Sequence, residues 1–266
     1  MKRVIIMGAS SGMGYALAEA LASRRVKVGI AARHTATMLE LQKKYPNYVE
    51  YMSIDVTKPS AVTKLYELIE KTGGMDIYAH FAGIGYENLT LDPEREVEII
   101  HTNADGFARM LCAAYRYFRD NHISGQIAAV TSVAGTNGIG RLSAYSASKA
   151  FGQRYMIALE QLALIEEADI AFTDIRPGWV RTPLLLPDVK YPMEMSVDYV
   201  MPRIIRAIVR RERVAVIDAR WNLLVGLWRL IPDCLWRRMA VTISDPDAPI
   251  PAPASPDTLL PHPAEK

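Results

Sequence analysis

The chain has 266 residues, half of them hydrophobic and 23% charged, and its 31 basic and 29 acidic residues leave a net charge of +2. That is the make-up of a soluble globular protein of α/β size, with no global field to gather nucleic acid. Two cysteines, Cys112 and Cys234, cannot build a disulfide framework or a metal site, which fits a reducing cytosol.

Near the N-terminus, "GASSGMG" interrupts the apolar run before it reaches the length of a secretory leader. No stretch attains the ~18 apolar residues of a membrane span. The nearest, "WNLLVGLWRLIPDCLW", is cut by Arg229, Pro232 and Asp233. A cytoplasmic protein without a transmembrane segment is expected.

In chain order, "RVIIM" (3–7) predicts a strand and the next segment a helix over about 13–24. "VKVGIAA" (26–32) leads into a helix ending near residue 45, and "VEYMSI" (49–54) into one over 60–73. "MDIYAHFA" (75–82) precedes a long helical stretch around 106–120, and "GQIAAVTS" (125–132) a helix over about 143–167. "DIAFTDI" (169–175), a basic helix near 203–211 and "RVAVIDA" (213–219) complete the pattern. Seven apolar strands alternating with helices predict βαβ units, and with them a parallel sheet covered on both faces. The fold class is therefore α/β, a Rossmann-type doubly wound sheet in one domain (1–218), followed by a helical extension (219–243). Residues 244–266 are rich in proline and poor in core formers, so an extended or disordered tail is expected there.

The turn after the first strand carries Gly8, Gly12 and Gly14, together with Ser10, Ser11 and Met13. Glycines at a strand-to-helix turn let backbone N–H groups approach a pyrophosphate, aided by the helix N-terminus. The spacing is G-x-x-x-G-x-G rather than G-x-G-x-x-G. The second strand ends in Arg33 with no acid nearby. An arginine there accommodates a ribose 2′-phosphate, which favours NADP(H); the alternative is an ordinary loop-end arginine. Asp55 and Val56 end the third strand, suited to an adenine amino group and face. Ala82 and Gly83 end the fourth, with backbone able to lie flat against a nucleotide.

"AYSASKAFGQ" sets Tyr145 and Lys149 four positions apart on one helical face with small residues between them, leaving room for a cofactor to pass. Taken alone, such a pair is also found as a solvated strip on any amphipathic helix. The ordered set "GASSGMG", Asp55-Val56, Ala82-Gly83, Asn103, Ser132, "YSASK" and "PGWVRT" (177–182) resembles the short-chain dehydrogenase/reductase family, from residue 2 to about 218. The resemblance implies a catalytic tetrad of Asn103, Ser132, Tyr145 and Lys149. In it Tyr145 is the general acid/base, made more acidic by Lys149, and Ser132 bonds the carbonyl oxygen. Lys149 also holds the nicotinamide ribose, and Asn103 supports a water relay. It further implies that Pro177, Gly178, Val180 and Thr182 wrap the nicotinamide. Met7 and "HFAG" depart from the family's usual Thr and Asn-Asn-Ala-Gly, polar residues that in the family tie neighbouring strands and loops together; His80 is read as structural.

The activity so implied is NADP(H)-dependent interconversion of a ketone and a secondary alcohol. The loop over 183–196 and residues Val133, Gly135, Asn137 and Ile139 are apolar enough to expect a lipid-like substrate: a keto-acyl compound, a sphingoid precursor or a steroid. The alternative is a nucleotide-sensing regulatory protein without turnover. A sugar-nucleotide epimerase is disfavoured by the glycine spacing. The family implies a homodimer or homotetramer. Nine arginines against three acids over 203–238, with Trp221, Trp228 and Trp236 among leucines, leave two readings of 219–241. One is packing on the chain's own core or on a second subunit, the other peripheral contact with anionic lipid.

Overall fold

The computed structural model describes residues 2–186 and 188–241; the expected tail and the last two residues of the extension lie outside them. Seven strands form one sheet in the order β3-β2-β1-β4-β5-β6-β7, every neighbouring pair parallel. They are β1 (Arg3–Met7), β2 (Lys27–Ala32), β3 (Val49–Ser53), β4 (Ile77–His80), β5 (Gly125–Val130), β6 (Ile170–Arg176) and β7 (Val214–Val216). Helices α1 (Gly12–Ala22), α2 (Ala36–Lys44), α3 (Ala61–Thr72), α4 (Pro93–Ile100), α5 (Phe107–Asp120), α6 (Ser143–Ile165) and α7 (Val197–Arg210) make the crossovers. The Rossmann-type single domain read from the sequence is the fold observed.

Strand residues alternate between the two faces, and both faces are buried. Val4 and Ile6 of β1 enter a core with Leu17 of α1, Met38 of α2 and Ile204 of α7. Ile5 and Met7 enter the opposite core, with Leu65 and Leu68 of α3 and Met110 of α5. Helix α3 shows why such segments fold as they do. Its buried residues, Ala61, Leu65, Leu68, Ile69 and Thr72, recur at helical spacing, and Gly73 closes it in the left-handed region at φ 82°. The strand order reverses between β1 and β4, so a crevice opens at their C-terminal ends, where ligands bind in open parallel sheets.

Three segments show detail beyond the expected elements. The long helical stretch around 106–120 is two helices, α4 and α5, joined by a π-helical turn over His101–Gly106. Asp92 caps α4 by accepting from the N–H of Glu94 (3.0 Å) and Arg95 (3.5 Å), with Pro93 at the first helical position. The basic helix of 203–211 extends back to Val197, where Ser196 caps it by accepting from Tyr199 N (3.2 Å), and Pro202 is accommodated inside it. The extension divides at Pro232 into α8 (Ala219–Trp228) and α9 (Asp233–Trp236), and Trp221 joins the main core.

Gly29 of β2 lies under α3, where an added Cβ would meet Thr72 Oγ1 and sit 2.6 Å from Ile5 Cδ1. Gly29→Val therefore overpacks this layer and is expected to destabilise by about 1–3 kcal/mol. Urea unfolding would show it as a lower midpoint at unchanged slope.

Candidate active site

The crevice floor is the glycine turn. Gly8 has φ 89°, and a Cβ on it would fall 2.6 Å from Ala82 Cα, so β1 and β4 approach main chain to main chain. A Cβ on Gly14 would strike Gly8 O. Ser11 precedes α1 without capping it through its side chain, and no acid occupies the helix's first turn. The partial positive charge of that helix end is thus unopposed within α1. Thr182 crosses from the other side, its Cβ 3.2 Å from where a Cβ on Gly12 would stand. Ser10 and Met13 are partly buried along the turn and Ser11 is exposed. Arg33 stands exposed at the end of β2. Burial pushes the Asp55 carboxyl up, but hydrogen bonds from Thr57 and the charge of Arg33 outweigh this and hold it below its ordinary value. The Val56 side chain turns inward against Gly106, and its carbonyl accepts from Arg109 Nη1 (2.6 Å). The side-chain face expected there for adenine is therefore not offered.

Beyond β5 the four predicted catalytic residues come together. Ser132 Oγ accepts from Ala134 N (3.1 Å) and donates weakly to Pro177 O (3.4 Å). Tyr145 fills the space beside Gly85, and its ring centroid is 5.6 Å from Lys149 Nζ. Gly83 abuts both remaining members: a Cβ there would lie 3.2 Å from Asn103 Oδ1 and 3.4 Å from Lys149 Nζ. The π-helical turn positions Asn103, whose Oδ1 accepts from Ile84 N (2.9 Å). Its Nδ2 donates to Ile84 O (2.7 Å) and to Ser148 Oγ (3.2 Å).

Of the residues between Tyr145 and Lys149, Ala147 is exposed, while Ser146 and Ser148 are buried; Ser146 Oγ accepts from Ile139 N (3.1 Å) and Ser148 Oγ accepts from Asn103 Nδ2 (3.2 Å). Burial raises the Tyr145 phenol above its ordinary value, with the Ser132 hydroxyl pulling the other way. Lys149 donates to Val130 O (3.1 Å), and burial pushes its ammonium down to about 8 against the raising pull of Asp174.

That carboxylate belongs to a group the sequence reading missed. Asp174 accepts from Thr131 Oγ1 (2.5 Å) and from Arg176 Nε (2.7 Å), and the Asp174–Arg176 side chains are each 5% exposed. Gln153 supports the same loop by donating to Ser132 O (2.8 Å). His80, read as structural, is fully buried with Nδ1 paired to Tyr78 Oη (2.9 Å) and Nε2 without a partner. Burial, with the charge of Lys149 adding to it, pushes its imidazole down to about 3, so it stays neutral.

The loop after β6 walls the site. Val180 is buried and bridges to Met195 in parallel, and Met195 N donates to Trp179 O (2.9 Å). Arg181 pairs with Glu194 at the same stem. Trp179 and Tyr191 pack ring to ring at 4.6 Å. Gly178 lies under the indole of Trp221. Asn137 Nδ2 donates to Trp228 O (3.4 Å), and Gly135 packs on the α6 backbone.

Residues 2–190 match the family model described as short chain dehydrogenase. The chain belongs to the short-chain dehydrogenase/reductase family. Members of this family are oxidoreductases of CH–OH groups that use nicotinamide cofactors. An uncharacterized oxidoreductase of Myxococcus xanthus is 33% identical over 189 residues, 69% of this chain and 74% of that protein. The 3-oxoacyl-[acyl-carrier-protein] reductase FabG of Escherichia coli is 31% identical over 191 residues, 68% and 74% of the two chains. Among solved structures, a short-chain dehydrogenase from Sphingobium yanoikuyae in complex with NADPH superposes with a TM-score of 0.70 at 24% identity. The superposition covers 88% of this chain and 97% of that one.

The buried Lys149 gives this short-chain dehydrogenase a measurable signature. Its charged form is disfavoured in the folded state, so the ionised lysine is a stability penalty below pH 8. The penalty fades as pH rises from about 8 towards the unfolded value near 10.4. Lys149→Met is therefore expected to gain on the order of 2 kcal/mol at pH 7, after subtracting the lost hydrogen bond to Val130. Urea unfolding at pH 7 and pH 10 should show that gain shrinking at the higher pH.

Proposed function

We propose that the protein is an NADP(H)-dependent oxidoreductase interconverting an apolar ketone and the corresponding secondary alcohol, with Tyr145 as general acid/base. The carrying observation is the meeting of Ser132, Tyr145, Lys149 and Asn103 beside the glycine turn, at the point where the strand order reverses. The turn fits a dinucleotide pyrophosphate: Gly8 and Gly14 have no room for side chains, and the start of α1 carries no acid. Gly8, Ser10, Ser11, Gly12, Met13 and Gly14 would hold the phosphates. Asp55 and the main chain at Val56 would meet the adenine, and Ala82 and Gly83 the ribose side. Pro177, Gly178, Val180 and Thr182 would border the nicotinamide. Exposed Arg33 supports a 2′-phosphate, hence NADP(H), in keeping with the NADPH bound by the Sphingobium relative.

Bound nicotinamide supplies or accepts the hydride. A phenol held above its ordinary value keeps its proton at neutral pH, so Tyr145 can deliver it to the oxygen of a reduced carbonyl. Ser132, whose bond to Pro177 O is long, can turn its hydroxyl to that oxygen and orient it. Lys149, near 8 and bonded to Val130 O, is poised to replace the proton that Tyr145 gives up. Asn103 fixes the Ile84 main chain beside it.

An apolar substrate is supported by Trp179 and Tyr191 with Met193 and Leu184 in the loop over 183–196, and by buried Ile139 and Leu142 next to Tyr145. A keto-acyl compound, a sphingoid precursor or a steroid would suit it, and the FabG relative is named for an acyl substrate. A stacked Phe151–Tyr155 pair on α6 (5.4 Å) beside exposed Cys112 of α5 supports assembly as a homodimer or homotetramer.

Titration of protein fluorescence is expected to show tighter binding of NADPH than NADH, with the preference lost or reversed in Arg33→Asp. Tyr145→Phe should keep NADPH binding while losing about 10²–10⁴-fold in kcat towards an apolar ketone. Binding of NADPH with no turnover across a panel of apolar ketones would instead favour a nucleotide-sensing regulatory protein.

A further inference from the structure

The C-terminal helices turn their tryptophans inward and their leucines out. Trp221 and Trp236 are 3% and 9% exposed, whereas Leu223, Leu227 and Leu230 are 68%, 53% and 78% exposed. Leu235 and Met239 continue that surface on and after α9. Single exposed leucines are ordinary on any protein; a run of them on two consecutive helices is a contact surface. Its net charge is positive. Arg229, Arg237 and Arg238 are exposed beside the leucines, and Asp233 is the single acid over 219–241. Arg220 is already neutralised by Asp218 (2.5 Å).

The inner side of the same helices holds the walls of the site. Trp221 Nε1 donates to Met193 O (3.3 Å), in the loop over 183–196. Trp236 Nε1 donates to Gly138 O (2.7 Å), and Asn137 Nδ2 to Trp228 O (3.4 Å), both in the segment after Ser132. The leucine surface is thus tied, through the same two helices, to the loop over 183–196 and to the segment after Ser132.

We propose that α8 and α9 form a docking face for an anionic lipid bilayer. Leucines set among arginines suit insertion between acidic headgroups. A second copy suits the face less well, because a twofold contact places the same patch on both subunits and brings the arginines towards one another. Among the described residues no helix is long and apolar enough to cross a membrane, so the contact is with the surface. The docking stands independently of the oxidoreductase reading; only its consequence, entry of an apolar substrate from the lipid, rests on that reading.

The test is co-sedimentation of the full chain with vesicles of equimolar phosphatidylglycerol and phosphatidylcholine, and with vesicles of phosphatidylcholine alone. The protein is expected to pellet with the first and not the second, and to be released by high salt. Loss of either Arg237 or Arg238 to alanine should weaken binding roughly fivefold. Leu227→Glu with Leu230→Glu should abolish it, with an unchanged thermal melt showing that the fold survives. Should that pair fail to fold, Leu227→Ser with Leu230→Ser serves as the milder probe and should weaken binding. Retention in the supernatant with both vesicle types would overturn the proposal. So would a solution dimer that the leucine variants split into monomers while vesicle binding stays unchanged. Because pelleting needs no turnover, failure of the ketone assays leaves this result standing.

Discussion

A buried ammonium group governs the arrangement of the site. Lys149 gives up most of its hydration, which costs several kcal/mol for an ion in a protein interior unless partners replace the water. Those partners come from the C-terminal ends of two adjoining strands. Val130 of β5 supplies a carbonyl, and Asp174 of β6 supplies negative charge while being tied by Arg176 and Thr131. Parallel register sets Val130 beside Ile175 and Ala129 beside Asp174. A slip of one residue would send Asp174 to the opposite face of the sheet. The catalytic lysine thus depends on the strand pairing, and the same strand end carries Ser132 two residues later.

The frame of this arrangement was legible in the sequence because it rests on local signals. Short apolar strands alternating with helices, glycines packed into one turn, and Tyr145 four residues before Lys149 each follow a local pattern that needs no knowledge of the fold. The polar supports were not legible, because they join distant residues. Asp174 and Arg176 sit in "AFTDIR", which reads as one strand, and nothing local shows that Thr131, 43 positions earlier, meets the carboxylate. Asn103 was placed in the tetrad by resemblance alone; the π-helical turn that aims it has no signature in "HTNADG". Helix α4 did have one, since Asp92, Pro93 and Glu94 are a cap, a helix-starting proline and an acid in the first turn.

In the extension after β7 the tryptophans follow one of the two readings that composition left open, packing on the chain's own core. Tryptophan and arginine beside leucine marked 219–241 as a segment with a surface to hide. Trp221 and Trp236 are buried and donate their N–H to Met193 O and Gly138 O, while half-buried Trp228 packs edge-on against Trp236. The smaller leucines remain outside. Helix α8 stops at Trp228 and Pro232 stands at the start of α9, so the segment turns back onto Gly138, in the stretch after Ser132.

The bridge between Val180 and Met195 has a consequence for how the protein can change over evolutionary time. It cinches the chain on either side of the loop over 183–194, so the ends stay fixed whatever lies between them. Lengthening a segment whose ends are already held together costs little, since closure entropy grows only with the logarithm of length. Mutational drift in this loop is therefore insulated from the sheet and from the proton-handling residues. A lineage can retailor which molecule it admits while inheriting its reaction chemistry intact.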